Sequence, residues 1–153
     1  MEEVKNHQGE VNELRKILNL CFLLLLVSCQ TVSDSSHITE SDVVQVLQEN
    51  GIQLVEVDFP SGNAYGSELR NVLPGTYLLN EKPFFIYEFE NEKDIEKGIR
   101  EFAKKTETME LVSSSLFEKR NILIFYVHEQ DFDSGEIPFE KEIQESLDRI
   151  SEG

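Results

Sequence analysis

The segment Ile17–Val27 (ILNLCFLLLLV) limits what this chain can fold into more than any other feature. It is apolar almost without a break, interrupted only by Asn19 and Cys21. A helix built from it has no polar face to turn toward water, so it must be buried whole or removed. Its 11 residues fall short of the roughly 20 needed to cross a bilayer core. The length is that of the apolar region of a secretory signal peptide, and Arg15-Lys16 stand where a positive leader belongs. The alternative is a buried core helix, with Cys29 an ordinary buried cysteine. The polar segment that follows disfavours it.

The run ends in Leu26-Val27-Ser28-Cys29. This resembles the lipobox of bacterial lipoproteins: an aliphatic residue, a variable residue, a small residue and then cysteine. The resemblance covers the signal region, about a fifth of the chain. It implies cleavage between Ser28 and Cys29 and a diacylglyceryl group on the Cys29 sulfur. The partner it implies is a membrane, reached through the lipid at Cys29, and the expected location is the extracytoplasmic face of the cell membrane. Two acyl chains hold a protein stably where one is marginal, at about 0.8 kcal/mol per buried CH₂. Gln30 follows the cysteine, and it is not the aspartate that marks inner-membrane retention in double-membraned bacteria. In the length and order of its elements, the rest of the chain resembles small lipoproteins of Gram-positive bacteria that have no assigned activity. The resemblance therefore supplies no catalytic residue.

Residues 1–28 are thus expected to be a signal peptide. Met1–Glu13 fits poorly within it, because four glutamates and one lysine make an acidic leader. Gln8-Gly9-Glu10-Val11 can be encoded by a purine-rich ribosome-binding sequence, so residues 1–13 read as an upstream extension, with translation starting at Leu14. Removal of residues 1–28 leaves 125 residues, enough for an unstapled hydrophobic core. Those residues hold 11 basic and 26 acidic side chains, so the charge stays near −15 against −16 for the whole chain. Such a surface repels nucleic acid and anionic lipid headgroups, and nucleic acid is not an expected partner. Both cysteines, Cys21 and Cys29, precede the domain. This excludes a disulfide, a cysteine nucleophile or a cysteine zinc site within it.

Residues 29–40 read as the lipidated cysteine and a polar tether, and 41–153 as one α+β domain. Ser41-Asp42 marks a helix start and Asn50-Gly51 a stop, giving a first helix over about 40–50. Ile52–Phe59 alternates as a strand with Val55, Val57 and Phe59 on one face, and 60–73 is a loop in which Glu68–Val72 has the look of a helical turn. A pattern then occurs twice. Strands at 76–80 and 84–90, joined by Glu81-Lys82-Pro83, precede a helix at 92–105, capped by Asn91 and striped by Ile95, Ile99, Phe102 and Ala103. Strands at 109–117 and 122–128, joined by 118–121, precede a helix at 138–150. The order suggests tandem β-β-α units. Phe84–Phe89 and Ile122–Val127 are apolar on both faces and should be central in an antiparallel sheet of about five strands, with about three helices.

Binding residues concentrate on loops, so Asn63, Tyr65, Ser67 and Arg70 in the 60–73 loop are the candidate ligand contacts. His37 is expected to be solvated in the tether. His128 can be drawn with Ser114 and Asp131 as a triad, but no nucleophile-elbow motif surrounds the serine. Asp131 and Asp133, with Glu142 eleven positions after Asp131, partly match a calcium loop. They are weak metal candidates, because Gly135 and Glu136 stand where an oxygen ligand and the required glycine belong. The sequence therefore points to a non-catalytic binding or accessory lipoprotein without a cofactor. Its partner would be an envelope protein or a small ligand. The alternative is a membrane-anchored hydrolase or metal-binding protein using His128 and the acidic loop 129–136.

Overall fold

The computed structural model describes residues 37–60, 62–128 and 136–150, within a compact unit that spans Ser35–Gly153. The signal region, Cys29, Asp131 and Asp133 lie outside the described residues. Eight elements follow in order: α1 (Glu40–Glu49), β1 (Leu54–Glu56), β2 (Gly75–Leu79), β3 (Lys82–Glu88), α2 (Glu92–Thr106), β4 (Ser114–Lys119), β5 (Ile122–Val127) and α3 (Glu140–Arg149). The strands form one antiparallel sheet in the order β1-β2-β3-β5-β4. The domain is α+β, with five strands and three helices among the described residues.

The two strands expected at the centre are there. β3 pairs with β5 from Phe84↔Tyr126 to Glu88↔Ile122, and every residue of β5 is buried. Side chains alternate across a pleated sheet, so this pair feeds two separate cores. Phe84, Ile86, Ile122, Ile124 and Tyr126 face α1 and α3, meeting Val43 and Leu47 from one helix and Ile143 and Leu147 from the other. Phe85, Tyr87, Leu123 and Phe125 face α2 and the 59–72 segment, meeting Ile95, Tyr65 and Leu69.

The β-hairpin recurs, but the helices that follow the two hairpins go to opposite faces. A two-fold axis normal to the sheet at Phe85↔Phe125 relates hairpin β2-β3 to β4-β5, and it would keep both following helices on one face. Instead α2 covers the Phe85 face and α3 the Phe84 face. The tandem units share an order and not a symmetry.

Turn geometry shifts several expected boundaries. Asn80 and Glu81 both adopt positive φ, 48° and 66°, as a tight two-residue hairpin requires. The turn is therefore 80–81, and Pro83 lies inside β3, opposite Leu78. Arg70 and Asn71 make a second such turn (φ 52° and 63°), closing a Leu69↔Val72 bridge where a helical turn was expected. β1 is cut to three residues, Leu54 rather than Val55 packs into a core, and Val55 stays exposed at the sheet edge. The fourth strand starts at Ser114, because a turn carries the end of α2 through Met109 and leaves 107–113 exposed. Ala103 is exposed, and the buried stripe of α2 instead uses Gly98. A Cβ on Gly98 would come 2.8 Å from the Phe89 ring, so only glycine lets the helix lie this close. Asn91 holds the N-cap position, but its side-chain amide donates to Asp94 Oδ2 at 2.7 Å and makes no cap bond to the backbone.

The expected tether ends earlier than residue 40. Ile38 is buried among the α1 and α3 side chains. Its backbone is held by Asn121 from the β4-β5 turn. The Ile38 N–H donates to Asn121 Oδ1 at 2.8 Å, and Asn121 Nδ2 donates to Ile38 O at 2.8 Å and to Phe89 O at 3.1 Å. His37 is accordingly not merely solvated, its Nε2 lying 3.2 Å from Asn121 Nδ2. Thr39, not Ser41, caps α1: Asp42 N–H donates to Thr39 Oγ1 at 3.2 Å and Thr39 N–H to Asp42 Oδ2 at 2.8 Å, a closed capping box.

Two outcomes are expected from this arrangement. Asn121→Ala leaves three buried backbone groups without their partner and should lower stability by about 2–3 kcal/mol, read as a shift of the urea midpoint. The Thr39 backbone and hydroxyl bonds hold the Asp42 carboxyl below the usual carboxylate range. A depressed folded value favours the native state above the unfolded value, and that contribution is lost as pH falls through the folded one. Melting temperature should therefore drop on acidification below about pH 4, and by less in Asp42→Asn.

Candidate functional site

The 59–72 segment forms a lid on the Phe85 face because its own bonds hold it there. Asn63 Oδ1 accepts the Tyr65 N–H at 2.9 Å, an Asx turn that reverses the chain after Gly62 (φ 107°). Tyr65 then points inward. Its ring lies 5.3 Å from Phe102 and 5.6 Å from Phe125, and its hydroxyl donates to Val112 O at 2.5 Å. Beneath it, the buried Tyr87 hydroxyl reaches the carbonyls of Tyr65 at 2.7 Å and Ser67 at 2.5 Å. Burial pushes the Tyr87 phenol above its ordinary range, so it stays a protonated donor at neutral pH. Gly66 lies against Phe85, where a Cβ would sit 3.2 Å from the ring.

Between this lid, β2 and the C-terminal end of α2 lies a cavity of about 540 Å³. That is within the usual range for small-molecule sites, roughly 300–1,000 Å³. Phe59, Pro60, Ala64, Leu73 and Met109 make its lining mainly apolar. Three of its polar side chains make bonds within the protein. Asn63 holds its own turn, Thr76 Oγ1 donates to Val57 O, and Thr106 Oγ1 donates to Phe102 O at 2.8 Å. Among the described residues the one charged lining residue is Lys105, paired with Glu101 at 2.8 Å and donating to Glu68 O at 2.5 Å. The interior therefore suits an uncharged, largely apolar molecule.

The four loop candidates separate. Asn63 and Ser67 line the cavity. Tyr65 is buried in the aromatic core and acts as the loop's anchor. Arg70 is exposed at the tip of the 70–71 turn, where its backbone N–H donates to Glu101 at 3.1 Å. Phe59, Leu73, Thr76 and Met109 join Asn63 and Ser67 only in three dimensions. No periodicity links them, although the expected loop of 60–73 marked their neighbourhood.

His128 lies elsewhere, on the α1–α3 side of the sheet, past the end of β5. It is buried, with Nε2 at 3.0 Å from Ser115 Oγ and its ring 5.3 Å from Tyr126. Ser115, not Ser114, is its partner, because pleating sends the neighbouring serine to the opposite face. Nδ1 is buried and has no hydrogen-bond partner among the described residues. A general base needs a group that fixes its tautomer, and these residues offer Nδ1 none. Among the described residues no three metal-ligating side chains converge, and no helix is long and apolar enough to cross a membrane.

The chain matches no family model, no curated protein and no solved structure.

Tyr87→Phe removes the hydroxyl that holds two lid carbonyls and keeps the ring in the core. The expected result is a loss of about 1–2 kcal/mol and faster amide exchange over 63–69, with the β3–β5 amides unchanged, measured by hydrogen–deuterium exchange.

Proposed function

We propose that this protein is a lipid-anchored, extracytoplasmic lipoprotein whose domain binds a small apolar ligand without transforming it. The observation that carries the binding part is the cavity of about 540 Å³ under the 59–72 lid. Its lining is mainly apolar, and the Asn63, Thr76 and Thr106 side chains within it bond to the protein itself. The anchoring part rests on Leu26-Val27-Ser28-Cys29 after an 11-residue apolar run. The spacing supports it. Ile38, clamped by Asn121, lies nine residues after Cys29. The seven residues between Cys29 and His37 reach at most about 25 Å when extended. A lipid at Cys29 would hold the domain close to the bilayer, with the β4-β5 turn end tethered toward it.

One observation favours a hydrolytic reading, the 3.0 Å contact between Ser115 and His128. The burial of that histidine weighs against it, and among the described residues none bonds its Nδ1. His128→Ala should leave ligand binding in the cavity intact. A hydrolase would instead lose turnover.

Intact mass of the protein from its host's membrane fraction tests the anchoring. The expected mass is that of a chain beginning at Cys29 plus a diacylglyceryl group, with Cys29→Ser remaining unprocessed. An unmodified chain retaining residues 1–28 refutes the anchor. Displacement of an environment-sensitive apolar dye tests the cavity, and Ala64→Phe, placed to fill it, should abolish dye binding.

A further inference from the structure

We propose that the ligand of the cavity under the 59–72 lid carries a neutral carbonyl group, as an aliphatic ester does, and that Asn63 and Ser67 bind its oxygen. This rests on the reading of that cavity as a ligand site, and it names the class of ligand. Phe59, Pro60, Ala64, Leu73 and Met109 make the body of the ligand apolar. Its polar end is set by the hydrogen-bonding groups of the lining that the fold does not use.

Thr76 and Thr106 give their hydroxyl hydrogens to Val57 O and Phe102 O. Lys105 is held by Glu101 and by Glu68 O. Asn63 and Ser67 differ from these. Asn63 Oδ1 accepts the Tyr65 N–H at 2.9 Å. A peptide N–H only donates, so this bond fixes which end of the amide is oxygen. The other end is Nδ2, with two N–H donors. Ser67 donates its N–H to Ala64 O at 3.3 Å, and its carbonyl accepts the Tyr87 hydroxyl at 2.5 Å. Its remaining polar group is Oγ, which rotates to donate. Among the described residues, neither Asn63 Nδ2 nor Ser67 Oγ bonds another protein group.

The two residues sit on one tight turn. Asn63 Cβ lies 3.8 Å from where a Cβ on Gly66 would stand, so the turn folds Asn63 back beside the residue that precedes Ser67. Both are half-buried and both line the cavity. Two donors beside apolar walls match one acceptor with two lone pairs, and a carbonyl oxygen is such an acceptor. Charge argues for a neutral carbonyl over a carboxylate. The chain carries a net charge of −16, which opposes an anionic ligand. The cation in the lining, Lys105, is already paired with Glu101, so a carboxylate would have to displace that partner.

The test displaces an environment-sensitive apolar dye from the full chain with methyl octanoate, methyl octyl ether and octanoate. It compares the natural chain with Asn63→Asp, Ser67→Ala and the double variant. Asn63→Asp keeps the oxygen that the Tyr65 N–H needs and removes the amide donor. The ester is expected to bind, and each single variant to weaken it about three- to tenfold. Dye and ether affinities should hold in all three variants, because neither ligand has a carbonyl for these donors. Octanoate should bind about tenfold or more weakly than the ester. The infrared band of an isotope-labelled ester carbonyl should move to lower frequency on binding, and less so in the double variant. The proposal is overturned if both single variants bind the ester unchanged, if the band does not move, or if octanoate binds as tightly as the ester. It is also overturned if ester, ether and dye weaken together, which would mark a change in the lid and not a lost carbonyl contact. In each of these cases, dye binding that Ala64→Phe blocks would still leave the cavity a ligand site. Absence of dye binding to the natural chain would remove that reading and this inference together.

Discussion

The pairing of β3 with β5 is the constraint on which the rest of the structure depends. Both strands are apolar on both faces, and every side chain from Ile122 to Val127 is buried. A sheet with such a centre has no face it can leave in water, so it must be covered twice. One cover is the α1–α3 pair, packed through Val43, Leu47, Ile143 and Leu147. The other is α2, with the 59–72 segment completing what one helix cannot span. The lid loop, and the cavity it leaves, follow from the asymmetry between two helices on one face and one on the other.

That asymmetry also separates the chain's local repeat from its architecture. Two hairpins followed by two helices could stack on one side of the sheet. The domain sends α2 and α3 to opposite sides, which divides the aromatic residues unevenly. Tyr65, Phe85, Tyr87, Phe89, Phe102 and Phe125 collect on the α2 face with ring centroids from 4.6 to 6.3 Å apart. The opposite face is mainly aliphatic. The cavity lies on the aromatic side.

Asn121 gives the fold its beginning. It contacts Ile38 across 83 positions of sequence and satisfies both of that residue's backbone groups. The same side chain reaches Phe89 O, so it ties the entering chain, the end of β3 and the β4-β5 turn together.

Much was legible in the sequence. Apolar periodicity and composition determined the number and type of elements, the central place of β3 and β5, and the loop that carries the cavity, because these depend on local patterns of burial. Register and long-range polar contact were decided only by the tertiary structure. Tyr65 stood among loop residues that suggested ligand contact, yet its ring fills the core and its hydroxyl holds Val112. Ser114 and Ser115 are neighbours, and a one-residue difference in pleat phase decides which of them meets His128. The polar look of 37–40 suggested a tether, but the partner that buries Ile38 lies in a turn more than eighty residues away. Local patterns record whether a residue prefers burial. They do not record which distant backbone group its side chain will satisfy, and that choice built both the lid and the start of this domain.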